Sequence, residues 1–170
     1  CKVSRTIESV KNYYGHHFVV DGSVGSTYYA FSSLTGATPD GRKYADLFND
    51  GTCSPCPGAD KKGPTATLKS VAKLDPLASH NLLLNQKFLP RFLEGENREF
   101  FADYLRTWRD LGIHHIQFNI VDQDTLLDAQ EHSEKYSDLV VRVAGYAAYF
   151  VDLSKKMQDE IIHRAEQGFR

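Results

Sequence analysis

The sequence has little that would staple or anchor it. Cysteine occurs three times, at Cys1, Cys53 and Cys56, and an odd number so placed makes a poor disulfide framework. No apolar run approaches the ~20 residues needed to span a bilayer, and no leader pattern opens the chain. A surplus of positive charge is also missing: 20 Lys and Arg stand against 22 Asp and Glu, for a net charge of −2. Without a basic stripe there is no electrostatic footprint for nucleic acid. The expectation is a soluble, cytoplasmic protein with no nucleic-acid or membrane partner.

What is present is ordinary globular material, 170 residues of which 41% are hydrophobic and 25% charged. That is enough for one packed core, or for one large piece of a bigger domain. The chain begins with Cys1 in the middle of a polar element, Lys2-Val3-Ser4-Arg5-Thr6-Ile7-Glu8. Its first half carries Gly and Pro clusters without the regular apolar period of a self-sufficient core. Both features lead us to expect a fragment, or one chain of a split protein. From Asp21 to Pro64 turn chemistry dominates, with Asp21-Gly22, Pro39-Asp40-Gly41, Asn49-Asp50-Gly51, Pro57-Gly58 and Gly63-Pro64. A span so rich in loops is expected to line a site or a subunit surface.

The second half is patterned. Over Asn97 to Leu111, Phe100, Phe101, Tyr104, Leu105, Trp108 and Leu111 recur at helical spacing, and Gly112 follows as a C-cap. His114 to Val121 alternates, with Ile116, Phe118 and Ile120 on one face and Gln117 and Asn119 on the other, which predicts a strand. Asp124 to Gln130 reads as a short helix and Leu139 to Val143 as a second strand. Ser154 is placed to cap a closing amphipathic helix that carries Met157, Ile161 and Ile162. The order is helix, strand, helix, strand, loop, helix. Upstream, Thr65 to Leu74 suits either a short helix or a strand, and Leu82 to Phe88 is a further apolar run.

The loop between the last strand and the last helix holds Val140-Val141-Arg142-Val143-Ala144-Gly145-Tyr146-Ala147-Ala148-Tyr149-Phe150. Taken alone, Gly145 is a turn glycine suited to positive φ. The whole string, however, resembles position for position the signature of glycyl radical enzymes. The resemblance continues through Phe150-Val151-Asp152-Leu153, Gln158-Asp159 and Ile161-Ile162. Upstream it runs through Thr38-Pro39-Asp40-Gly41-Arg42, Asp50-Gly51, Ser54-Pro55, Gly58, Asp60, Gly63-Pro64-Thr65-Ala66, His115-Ile116-Gln117-Phe118-Asn119 and Asp128-Ala129-Gln130. It covers nearly the whole chain in order.

The resemblance implies an α/β fold, the C-terminal portion of a ten-stranded α/β barrel. Residues 1–95 would supply loop-rich barrel segments, and residues 96–170 a radical domain that delivers the Gly145 loop to the barrel centre. It implies that Gly145 stores an unpaired electron, installed with S-adenosylmethionine by an iron–sulfur activating enzyme, with no cofactor bound directly and no metal. The chemistry suits glycine: an α-carbon radical is stabilised between amide nitrogen and carbonyl when the centre is planar, and without Cβ nothing obstructs flattening. For abstraction the loop must leave the core, which makes Ala144 and Ala147-Ala148 inexpensive neighbours. Arg142, with its planar fork of donors, anchors the loop or is read by the activating enzyme together with Val143, Ala144 and Tyr146, unless it is a solvated strand-end arginine. His115, Gln117 and Asn119 form either a polar strand face buried in the barrel or the floor beneath the loop. Partners would include the rest of the barrel, in the same or another chain, and a small-molecule substrate, with a homo-oligomer as the full enzyme. Phe118, Tyr149 and Phe150 are expected to form an exposed apolar patch in the isolated chain.

Family members pass the radical to a cysteine on a loop at the barrel centre, commonly followed closely by Glu, and no cysteine here has that setting. The chain is therefore expected to be inactive alone. Cys53-Ser54-Pro55-Cys56 invites a metal reading, but no second ligand pair follows at zinc-site spacing. The Ser54-Pro55 to Ala66 segment and the closing helix resemble the dehydratase, decarboxylase and lyase branch rather than pyruvate formate-lyase. Asn85-Gln86-Lys87-Phe88 resembles the branch that adds hydrocarbons to fumarate. A third alternative is a stand-alone replacement subunit, since oxygen cleaves such enzymes at the glycyl residue. One consequence is direct: Cys53→Ser leaves the radical yield unchanged by electron paramagnetic resonance, whereas a lost signal would give that thiol a redox role.

Overall fold

The computed structural model describes residues 2–22, 27–75 and 81–164, and the backbone of 166–167. Its centre is a parallel sheet in the order β2-β1-β5, formed by β1 (Leu83–Phe88), β2 (His115–Ile120) and β5 (Glu166–Gln167). β1 and β2 pair in full register from Leu83↔His115 to Phe88↔Ile120, while β5 meets only Lys87 and Phe88. Parallel neighbours need a long crossover, and α4 (Asn97–Asp110) supplies it. All six residues of β1 are buried, as expected for a strand covered on both faces.

The two faces of the sheet differ in chemistry. On one, Leu84 and Phe88 of β1 and Ile116, Phe118 and Ile120 of β2 pack against α3 (Pro64–Val71) and α4, with Leu68, Val71, Tyr104 and Ile113 closing the core. Phe88 is wholly buried and makes edge contacts with Phe101 and Tyr104, both at 5.3 Å between ring centres. On the other face, Asn85 and Lys87 stand beside Gln117 and Asn119, all four buried. A second apolar core gathers Val121, Leu126, Ala129, Val141, Val143, Phe150, Met157, Ile161 and Ile162. Its residues come from α5 (Gln123–Glu131), the β3 (Val140–Arg142) and β4 (Ala147–Tyr149) hairpin, and α6 (Lys155–His163).

The caps follow the sequence. Ser154 accepts from the Met157 amide at the start of α6, and Asp122 accepts from the Thr125 amide at 2.7 Å to start α5. That backbone bond holds the Asp122 carboxyl below its ordinary value. Of the stretch Thr65 to Leu74, the residues as far as Val71 form helix α3, opened by Pro64 in its first turn. The loop-rich first half also contains α1 (Lys2–Ser9) and α2 (Thr27–Ser32), the latter unannounced by the turn residues around it.

The apolar patch expected from Phe118, Phe150 and Tyr149 does not form as such. Phe150 is fully buried in the second core and Phe118 packs in the first, which leaves Tyr149 at 50% exposed. The reason is local: the hairpin folds onto α5 and α6, and the sheet onto α4, so Phe150 and Phe118 find their cover within this chain. Cys53 is half-buried against the first core, and burial pushes its thiol up to about 11. Cys56 is exposed, and Cys1 lies outside the described residues. No helix among the described residues is long and apolar enough to cross a membrane. Truncating Phe88→Ala should cost about 3–5 kcal/mol, read as a lowered denaturant midpoint at unchanged slope.

Candidate functional site

Gly145 sits at the tip of the β3–β4 hairpin. The ladder runs Val140↔Tyr149, Val141↔Ala148 and Arg142↔Ala147, and the Val143 amide donates to the Tyr146 carbonyl at 2.9 Å. Ala144 and Gly145 are the two residues left at the bend. Gly145 has φ 78°, a left-handed conformation that a side chain disfavours. The stretch read as loop after Gly145 thus contains a short return strand, concealed because Ala147-Ala148 has no β preference of its own. Val141 and Val143 point into the second core and Ala144 is buried, while Gly145, Tyr146 and Ala147 are exposed. Arg142 is half-buried.

Three polar side chains fix this hairpin by its backbone. Asn119 of β2 accepts from the Arg142 amide at 2.7 Å and donates to the Arg142 carbonyl at 2.8 Å. The amide side chain thereby mimics a neighbouring strand. Gln158 of α6 donates to the Phe150 carbonyl at 2.9 Å, just beyond the hairpin's far end. Arg164, at the end of α6, donates to the Arg142 carbonyl at 3.0 Å and to the Val143 carbonyl at 2.9 Å. These are the two peptide carbonyls that lead into Ala144-Gly145.

Arg164 is itself held on every side. Its guanidinium meets Glu160 at 2.9 Å and Asp50 at 3.2 Å, and donates to the Tyr28 hydroxyl at 3.2 Å. Its side chain is only 8% exposed. Burial opposes its charge, but Asp50 and Glu160 outweigh that and keep it fully protonated. Burial pushes the Asp50 carboxyl up, with Arg164 pulling it down and Glu160 pushing it up again. Burial also raises the Tyr28 phenol.

Asp50 owes its position to a loop stitched along the part of β1 that β5 leaves unpaired. Cys53 donates its amide to the Leu83 carbonyl at 3.0 Å, the Asn85 amide donates to Ser54 Oγ at 3.0 Å, and Asn85 Nδ2 donates to the Asp50 carbonyl at 2.7 Å. Gly51 is required there: a Cβ would lie 2.6 Å from the Leu83 carbonyl oxygen and would also strike Ser54. A cavity of about 210 Å³ lies between this loop and the polar sheet face, lined by Asp50, Asn85, Lys87, Asn119, Glu160 and Arg164 among others.

Of the residues singled out from sequence, Arg142, Val143, Ala144, Gly145 and Tyr146 all lie on this one hairpin. The described hydrogen bonds of Arg142 use its backbone. Asn119 is the floor beneath the loop, whereas Gln117 and His115 lie farther along β2 and pair with each other at 3.2 Å. Arg164, Asp50 and Tyr28 were not picked out as a group. Glu160 and Arg164, four apart on one helix, look in sequence like a solvated surface pair, and only the burial of Arg164 against Asp50 and Tyr28 separates them from one. Among the described residues no group of three or more His, Cys, Asp or Glu is arranged to hold a metal ion.

Comparison with known proteins places this geometry. The family model described as "Glycine radical" matches residues 49–151, which include Gly145. The indoleacetate decarboxylase of Tractidigestivibacter scatoligenes is 41% identical over 163 residues, covering 95% of this chain and 19% of that protein. The trans-4-hydroxy-L-proline dehydratase of Clostridioides difficile is 42% identical over 156 residues, covering 91% of this chain and 20% of its own. Among solved structures, the glycerol-bound B12-independent glycerol dehydratase of Clostridium butyricum superposes with a TM-score of 0.88 at 43% identity, over 98% of this chain and 21% of that one. The chain spans about a fifth of the length of the relatives it matches.

The Asn119 contact yields a direct prediction. Asn119→Leu, similar in size, strands the Arg142 amide, at a cost of about 1–3 kcal/mol. Hydrogen exchange at that amide should quicken roughly tenfold to a hundredfold, the same energy read as a local opening constant. Unchanged protection would show that the hairpin does not depend on this contact.

Proposed function

Since this chain belongs to the glycine radical family, and its structural neighbours are barrels of that family, we propose that Gly145 stores the radical used for turnover. The observation that carries the reading is the hairpin itself. The family-matched glycine stands at its tip with positive φ, and the carbonyls of Arg142 and Val143 leading to it are held by buried side chains.

The chemistry balances without any group bound to this chain. The activating partner, an iron–sulfur enzyme that uses S-adenosylmethionine, supplies the species that takes up one hydrogen atom. Homolysis of a Gly145 Cα–H bond leaves the electron on Cα, shared with the flanking amide nitrogen and carbonyl. During turnover, Gly145 Cα recovers a hydrogen atom from a cysteine thiol, and the resulting thiyl radical abstracts hydrogen from substrate. That cysteine lies on the remainder of the barrel, in the same or a partner chain, since no cysteine of this sequence is closely followed by Glu and Cys53 packs against the sheet core rather than the core beneath the hairpin. This chain's part is to hold Gly145 at a fixed position; the tip is exposed here, so shielding it from water and oxygen falls to the remainder of the barrel. Tyr146, exposed beside Gly145, and Arg142, at the hairpin's first strand, form the surface that the activating partner reads, whereas Val143 and Ala144, expected to share in it, are buried and seat the turn on its core. Residues 1–95 contribute barrel segments and residues 96–170 the part that carries Gly145, and the full enzyme works in the cytoplasm as a homo-oligomer.

The substrate class follows the relatives. They are named as decarboxylases, dehydratases and sulfite-lyases, so we assign this chain to enzymes that eliminate water, carbon dioxide or a heteroatom group from a small molecule. The Asn85-Gln86-Lys87-Phe88 string forms the end of buried strand β1, and addition of a hydrocarbon to fumarate, which it suggested, stands as the alternative reaction.

The experiment is anaerobic activation followed by exposure to air. Dioxygen adds to a carbon radical, and the resulting peroxyl breaks the backbone there. Intact mass should show scission at Gly145, absent in Gly145→Ala and in protein never activated. An uncut chain after activation under the same conditions would count against radical storage at this residue.

A further inference from the structure

The two strands of the hairpin are held unequally. On the strand that leads to the tip, Asn119 grips the Arg142 backbone and Arg164 donates to the carbonyls of Arg142 and Val143. On the returning strand, Ala147 to Tyr149 are joined only to β3 among the described hydrogen bonds. The first grip from outside the hairpin comes at Phe150, one residue past β4, whose carbonyl accepts from Gln158 Nε2 at 2.9 Å. On its returning side, the place of Gly145 therefore rests on that single contact.

Gln158 makes the contact in one orientation only. A side-chain amide presents an acceptor on one side and donors on the other, and turning it over exchanges the two. Gln130, near the end of α5, decides between them. Its Nε2 donates to Gln158 Oε1 at 3.2 Å and to Asp159 Oδ1 at 2.9 Å, while Lys155 Nζ donates to Gln130 Oε1 at 3.0 Å. With Gln158 Oε1 engaged from α5, its Nε2 is the group left for the Phe150 carbonyl. Gln158 is only 8% exposed and Phe150 is wholly buried, so a turned amide would set oxygen against oxygen with little water to relieve it. Asp128-Ala129-Gln130 and Gln158-Asp159, two strings far apart in the sequence, thus meet in one relay of donors that runs from Lys155 to the hairpin backbone.

On the reading that Gly145 is the radical residue, we propose that Gln130 is a positioning residue for hydrogen-atom exchange at Gly145, acting through Gln158 on the returning strand. Exchange between a carbon and a thiol needs the two atoms within reacting distance, and a displacement of about 1 Å costs on the order of a hundredfold in rate. Gln130 sets no such distance by contact with the tip. It fixes which way the Gln158 amide points, and that amide fixes the Phe150 carbonyl from which the strand returns to Gly145. The relay lies wholly on α5, α6 and the hairpin base, so it bears on the chemical step and leaves substrate binding to the remainder of the barrel.

The test uses the chain assembled with the rest of its barrel. Gln130→Glu keeps the size of the side chain and removes its donors while the carboxylate is ionised; Gln130→Met has no donor at any pH. The readouts are radical yield with the activating partner, turnover per radical with its KM, and exchange of the Phe150 amide, which donates to the Leu139 carbonyl at the hairpin base. At neutral pH both variants should keep the wild-type radical yield and KM, while turnover per radical falls about tenfold to a hundredfold. Phe150 exchange should quicken about tenfold or more. As pH falls through the titration of the new carboxyl, which Lys155 and Asp159 flank, Gln130→Glu regains a donor. Its turnover per radical should then return toward that of the wild type, and Gln130→Met should not recover. A residue that merely stabilises the fold would lower yield and turnover together, and acid would not separate the two variants. That pattern, or wild-type turnover per radical in Gln130→Glu at neutral pH, overturns the proposal. If the wild type itself gives no glycine radical, Phe150 exchange decides: faster exchange in both variants upholds the relay and sinks the reading of Gly145, whereas unchanged exchange sinks the relay as well.

Discussion

A single carbonyl oxygen joins the parts of this structure. The Arg142 carbonyl accepts one hydrogen bond from Asn119 on the parallel sheet and another from Arg164 at the end of the closing helix. Remove either donor and the hairpin keeps its ladder but loses its fixed place over the sheet. The polar face of the sheet, the edge-stitched loop that brings Asp50, and the capped helix that brings Arg164 all converge on that point. A buried polar cluster of this kind is costly unless every member is satisfied, and Arg164 reaches two carboxylates, a phenol and two carbonyls.

The tip itself needs different properties from its supports. Glycine there adopts φ 78° and presents a Cα with no Cβ, and Ala144 before it adds little bulk. Rigidity is therefore supplied from a distance, through backbone carbonyls rather than through side chains crowding the reactive carbon. This separation lets one segment be both well placed and free to be handled by a second protein.

Much of this was legible in the sequence wherever a period or a cap carried it. The amphipathic spacing of Phe101, Tyr104 and Trp108 marked α4, the alternation of Ile116, Phe118 and Ile120 marked β2, and Ser154 marked the start of α6. Gly145 stood out because the string around it matched a family rather than because of any propensity. The helix at Thr27–Ser32 and the return strand at Ala147–Tyr149 stayed hidden, since each is short and stabilised by tertiary contact instead of local preference. Phe118 and Phe150 were expected to be exposed because periodicity shows which face is apolar but not what will cover it. The Arg164–Asp50–Tyr28 contact was invisible for a related reason: it joins three distant segments, and linear spacing has no bearing on whether they meet.

The measurement that bears most directly on the central claim is electron paramagnetic resonance of the anaerobically activated protein, prepared once with ordinary glycine and once with α-deuterated glycine. A radical on Gly145 gives a doublet from its single remaining α-hydrogen, and the splitting collapses on deuteration. The account predicts that doublet, its collapse, and its loss in Gly145→Ala. A signal whose shape ignores the glycine label, or which persists in Gly145→Ala, would place the electron elsewhere and contradict it.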